Sequence, residues 1–258
     1  VPAGAAPLDG PAALGGEGDF VLMNDRAAFV IQGMHDPRKT YWYYVGQPID
    51  AVALDDCFQT TPDRFDELGV ILGSARLDSF FQSSLRGMSI DSIEVISDGA
   101  DGGPAHVRAT GTDDFFWLIE LELIRRAFSD GSPRGYSRPL GISVTVDYYL
   151  PPGSAVLEMA VTIHNTTGER RGVLSGLVNF FGDTSVRSNY VDDALSLGGL
   201  SVDVGVPWIV SLARDHAMAI AIEGARTGLV SISGVDAMVN IDQFLLGANI
   251  APGGSRTD

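Results

Sequence analysis

The chain has 258 residues, with 33 Asp or Glu against 17 Lys or Arg, for a formal net charge of −16. Apolar residues at 45% and charged residues at 19% describe a chain that buries a sizeable core, which excludes a disordered one. The acidic balance excludes nucleic acid and anionic lipid as partners, since both need a surplus of cations on one face.

Residues 1–18 (VPAGAAPLDGPAALGGEG) are rich in Ala, Gly and Pro and predict a linker. Two apolar runs, residues 19–24 and 28–32, flank an Asn-Asp-Arg turn and predict a hairpin. Residues 65–72 and 115–128 compete for helix; the second has Glu122 and Arg126 at i, i+4 spacing but also alternates partly like a strand. Residues 91–97 and 106–111 read as strands around the loop 98–104. The clearest antiparallel pair is 142–150 and 156–165, two alternating runs joined by Pro151-Pro152-Gly153-Ser154. Further strands are expected at 172–181, 195–197, 208–212, 218–222, 229–232 and 244–246. This pattern predicts an all-β chain: residues 19–258 as a single large antiparallel two-sheet supersandwich with one or two short helices. The turn at 251–255 is of a kind that introduces another strand. The chain is therefore expected to be a module cut from a longer polypeptide, its sandwich truncated at the C-terminal end.

Two stretches carry a resemblance. Residues 18–56 contain GDFVLMNDRAAFVIQG and GQPIDAVALDD; residues 141–182 contain PPGSAVLEMAVTIHNTTGERRGV and a strand running into Phe-Phe-Gly-Asp. They resemble the β-supersandwich region, related to galactose-mutarotase-like domains, of large exported bacterial proteins. In some of these the region precedes a PHP-type metallohydrolase domain or carboxypeptidase-regulatory-like repeats. The resemblance implies a hairpin at Asn24-Asp25, a strand opening at Ile49-Asp50-Ala51, and an Asn165 that holds a turn. It also implies a periplasmic or secreted location and neighbouring domains of the same polypeptide as partners.

Chemistry-bearing motifs are sparse. The histidines His35, His106, His164 and His216 show no HxH or HExxH spacing, so no metal centre is expected. The lone Cys57 excludes an internal disulfide, and no nucleophile elbow or phosphate-binding loop is present, so no cofactor is expected. Adjacent acids at 55–56, 113–114 and 192–193 point to opposite strand faces and rarely act together. The loop 98–102 has clustered acids but only part of a calcium-loop spacing. Asn165-Thr166-Thr167 matches a glycosylation sequon but falls in a turn.

The run Tyr41-Trp42-Tyr43-Tyr44 is the most suggestive feature. Aromatic faces stack on sugar C–H faces, which makes Trp42 and Tyr44 the candidate ligand-binding residues; the competing reading puts alternate rings in the core. The leading expectation is a non-catalytic scaffold or carbohydrate-binding module of an exported bacterial protein. The alternative is a carbohydrate-active enzyme of mutarotase-like or lyase-like type, using His106 or His164 with a nearby acid.

Overall fold

The computed structural model describes residues 1–2, 6–35, 44–74, 86–115, 139–181, 188–191, 194–196, 199–204, 208–212, 217–221, 228–233 and 240–257. Among these, every regular element is a strand. The first five are β1 (Phe20–Met23), β2 (Ala27–Ile31), β3 (Pro48–Asp55), β4 (Phe58–Gln59) and β5 (Glu67–Ser74). Next come β6 (Arg86–Asp98), β7 (Ala105–Phe115), β8 (Ile142–Leu150), β9 (Glu158–Asn165) and β10 (Arg171–Phe181). The remainder are β11 (Ser188–Val191), β12 (Ala194–Ser196), β13 (Gly199–Val204), β14 (Trp208–Leu212), β15 (Ala217–Ala221), β16 (Gly228–Ser233), β17 (Asn240–Ile250) and β18 (Ser255–Thr257).

Among the described residues all the strand pairs are antiparallel. A ten-stranded sheet runs β13-β16-β17-β10-β5-β6-β7-β8-β9-β18, beside the four-stranded sheets β1-β2-β3-β4 and β12-β11-β14-β15. The turn at 251–255 does introduce a strand, β18, which pairs with β9.

The all-β expectation holds, with one local correction. Residues 65–72 are a helix candidate in the sequence, yet Glu67–Ser74 is strand β5, between β10 and β6 in the large sheet. The segment is buried on both faces: Val70 and Leu72 face one way, Glu67 and Ile71 the other. Double burial erases the alternation that marks a strand, and the β-branched pair Val70-Ile71 supplies the extended preference instead. The second helix candidate lies outside the described residues after Phe115.

The main core forms between the large sheet and β1–β3. Leu22, Phe29 and Ile31 meet Val70, Leu72, Ile90, Val107, Val144, Val146 and Ile163. β8 shows the cause: Ile142, Val144, Val146 and Leu150 are buried, while Ser143, Thr145 and Tyr149 alternate outward. Asn24 braces the arrangement. Its Oδ1 accepts from the Arg26 and Ala27 N–H groups, and its Nδ2 donates to the Pro151 and Ser154 carbonyls of the β8–β9 turn. β6 stays in phase with β7 through two bulges, at Asp91 (between Ile90 and Ser92) and at Ile96 (between Val95 and Ser97).

The other face of the small sheet carries Ala28, Val30, Ile49, Val52 and Leu54, covered by Leu8 and Leu14. Residues 6–18, within the segment expected as a linker, are thus fastened to this sheet. The Leu14 and Gly15 N–H groups donate to the two carboxylate oxygens of Asp50 at 2.7 and 2.8 Å. The Asp63 N–H donates to the Asp9 carbonyl at 2.8 Å, and the Ala12 N–H donates to the Asp63 carbonyl at 3.2 Å.

Candidate functional site

Alternation leaves the opposite face of β6, β7, β8, β9 and β18 polar, and the register lines its side chains up. Thr110, Thr145, Thr162 and Thr257 occupy one row across four adjacent strands. Thr112, Ser143, His164 and Ser255 form the row on one side. On the other side come Glu94, Arg108 and Asp147, followed by Ser97, His106, Tyr149 and Glu158. Rows on a pleated sheet lie roughly 6.6–6.8 Å apart and neighbours within a row about 4.8 Å apart, so hydroxyls tile this surface regularly. Cross-strand contacts hold them in place: the Thr162 and Thr257 hydroxyls are 2.8 Å apart, and His164 Nδ1 is 2.9 Å from Ser255 Oγ.

One end of this face carries a charged cluster. His106 Nε2 lies 2.6 Å from Asp147 Oδ1, and Arg108 Nε donates to the same oxygen at 2.7 Å. The His106 ring stacks on Tyr149 with centroids 4.1 Å apart. His106 and Asp147 are buried, whereas the Arg108 side chain is 41% exposed. The hydrogen bond to Asp147, and then its charge, push the Arg108 guanidinium above its ordinary range. An Asp147 oxygen shared by two partners serves better to hold His106 and Arg108 in position than to take a proton from a substrate.

The other end is set by Tyr44. Its half-buried ring lies directly over Gly87 of β6, where a Cβ would overlap the ring carbons and the hydroxyl. Gly87 shares a strand face with Ser89, two residues on, which places Tyr44 beside the Thr112 row. Its loop is pinned to the interior. The Gly46 N–H donates to the Gln32 carbonyl, the Gln32 N–H donates to the Gln47 carbonyl, both at 2.9 Å, and Gln47 Nε2 donates to Glu67 Oε2 at 2.8 Å.

Of the two aromatic candidates from the sequence, Tyr44 therefore borders this face, and Trp42 lies outside the described residues. Of the two candidate histidines, His106 has an acid against it, Asp147, and His164 is engaged by Ser255. Asp147, Arg108 and the threonine row escaped sequence reasoning. Their signal, polar residues at the outward positions of consecutive strands, becomes legible only once the register is known.

Several other sequence candidates have structural partners, and Asp192 and Asp193 lie outside the described residues. Asp98 and Asp101 accept from the backbone N–H groups of Ala100 and Gly103 within their own turn. Asp113 accepts from Arg86 Nε and from the N–H groups of Leu140, Gly141 and Ile142. Among the described residues, no group of three or more His, Cys, Asp or Glu side chains could hold a metal ion.

No protein-family model and no curated sequence matches the chain. Solved structures do. A galactose mutarotase-like protein from Lactobacillus casei matches with a TM-score of 0.54 at 11% identity, covering 93% of this chain and 97% of its own. The Slr1438 protein of Synechocystis matches with a TM-score of 0.51 at 11% identity, covering 93% and 92%. A GH36 α-galactosidase from Geobacillus stearothermophilus, in complex with 1-deoxygalactonojirimycin, matches at 0.50 and 12% identity, covering 93% of this chain and 39% of its own. At such identities the likeness speaks for architecture alone. The chain has the galactose-mutarotase-like β-sandwich fold.

Proposed function

We propose that this chain is a non-catalytic carbohydrate-binding module of a larger exported bacterial protein, and that the sugar lies on the polar face of β6–β9 between Tyr44 and Tyr149. The observation that carries the reading is the row Thr110-Thr145-Thr162-Thr257 beside the Thr112-Ser143 row. It offers a preformed set of hydroxyl donors and acceptors that matches the chemistry of a glycan surface. Tyr44, with Trp42 two residues before it in the sequence, supplies the aromatic component. The test is calorimetric titration of the domain against a panel of soluble polysaccharides. A binder whose affinity falls at least about tenfold in both Thr145→Val and Trp42→Ala, with unfolding temperatures unchanged, supports the proposal. An empty panel, or affinity indifferent to both changes, removes it and leaves a plain scaffold role beside neighbouring domains.

A second reading has one observation in its favour, the 2.6 Å contact between His106 and Asp147. In that reading the domain is a mutarotase-like or lyase-like enzyme. Turnover of an aldose anomer or a polysaccharide, abolished by His106→Ala, would replace the binding proposal.

A further inference from the structure

We propose that residues 6–19 form a strap locked onto the small sheet by a proton on Asp63, and that loss of this proton releases the strap. The two carboxylates that fasten it, Asp50 and Asp63, are both fully buried. Asp50 is the receptor for the strap backbone: both of its oxygens are taken by the Leu14 and Gly15 N–H groups. Gly15 sits so close that a Cβ there would fall 2.5 Å from Asp50 Oδ2. Such an acceptor binds neutral N–H donors best as a carboxylate, so the negative charge belongs on Asp50.

Asp63 is the partner that must then stay neutral. Its backbone grips the strap at Asp9 and Ala12, and its Oδ1 accepts from the Ala51 N–H at 2.8 Å and the Phe65 N–H at 3.4 Å. Its Oδ2 is buried with no hydrogen-bond partner among the described residues. The charged groups around it are Asp50 on β3, Asp66 and Arg64 on its own segment, and Asp9 on the strap. Asp50 and Asp66 both oppose ionisation. Burial first, and then the Asp50 charge, push the Asp63 carboxyl up to about 8. A second buried anion beside Asp50 has one inexpensive escape: the strap lifts, and water reaches both groups.

The direction follows from linkage. An exposed Asp63 in the open state has an ordinary carboxylate affinity near 3.8, while in the closed state it holds its proton to about 8. Between these limits the closed state binds more protons, so the opening constant rises about tenfold per pH unit and levels off above the upper limit.

The experiment is amide hydrogen exchange on the intact chain from pH 5 to 9, corrected for the intrinsic pH dependence of exchange. The Leu14 and Gly15 amides are expected to lose protection steadily toward pH 8, while Val144 and Val146 in the main core keep theirs. Asp63→Asn, which keeps the Oδ1 acceptor and cannot ionise, is expected to make Leu14 and Gly15 protection independent of pH. Flat protection in the native chain overturns the proposal without any variant. It is equally overturned if Val144 and Val146 lose protection in step, or if Asp63→Asn folds and keeps the slope. Should Asp63→Asn not fold, Asp66→Asn takes its place: with one repelling charge gone and the Asp50 acceptors intact, the loss of protection must level off at a lower pH, and an unshifted curve overturns the proposal.

Discussion

The Tyr148 hydroxyl donates to the Gly46 carbonyl at 2.9 Å, joining β8 of the large sheet to the loop that carries Tyr44. Tyr148 is fully buried, and burial pushes its phenol far above the ordinary range. Tyr148→Phe keeps the ring but leaves a buried carbonyl unpaired, at a cost of about 1–3 kcal/mol. Denaturant titration measures this loss. A change within error would mean that the bond contributes nothing net.

Gly87 is the floor under Tyr44. Gly87→Ala forces the ring off the sheet face, at a cost of about 1–3 kcal/mol for overpacking. Binding to any polysaccharide found for the domain is expected to weaken at least tenfold. Unchanged affinity would detach Tyr44 from the binding face.

Asp147 holds two partners in place. Asp147→Ala strips His106 and Arg108 of a shared acceptor on the outer face, and about 1–3 kcal/mol of stability is expected to go with it. The imidazole, no longer fixed, is expected to show averaged rather than single ring environments by NMR. A single unperturbed His106 signal in the variant would show that stacking on Tyr149 suffices to place it.

Asp66 makes stability depend on pH. Burial first, and then the Asp50 charge, push its carboxyl up to about 6. The folded chain therefore holds this proton more tightly than the unfolded chain. Its contribution is full below pH 3.8 and is lost as pH rises through about 6. Asp66→Asn is expected to raise the melting temperature at pH 7 and leave it nearly unchanged at pH 4. An equal shift at both values would trace the effect to packing.

What could be read in advance divides along physical lines. Ile142–Leu150 was legible to its ends because one buried face and one wet face produce strict alternation. Glu67–Ser74 was not, because both of its faces are covered. Asn165 was expected to hold a turn, and it is buried with Nδ2 reaching the carbonyls of Glu169, Ile250 and Ala251. Its sequon is thereby spent on structure. The strap was illegible because backbone N–H groups bind Asp50 there, and backbone groups leave little trace in composition. The outer face was illegible because His106 and Asp147 stand 41 residues apart, and only strand register brings them together.

The two bulges of β6 bear on how such a surface can change over time. Asp91 and Ile96 are the residues without a partner on β7, and Asp91 and Ile96 are both exposed, Ile96 by 45%. Deleting either would remove a bulge and leave a regular ladder, whereas deleting Met88, away from both, would exchange inward and outward side chains until the bulge at Asp91 took up the shift. β6 therefore has two places where a one-residue deletion is an adjustment of twist and not a frameshift of its faces. Relatives that differ in length along this strand are expected to differ at those two places, with the rows on either side intact.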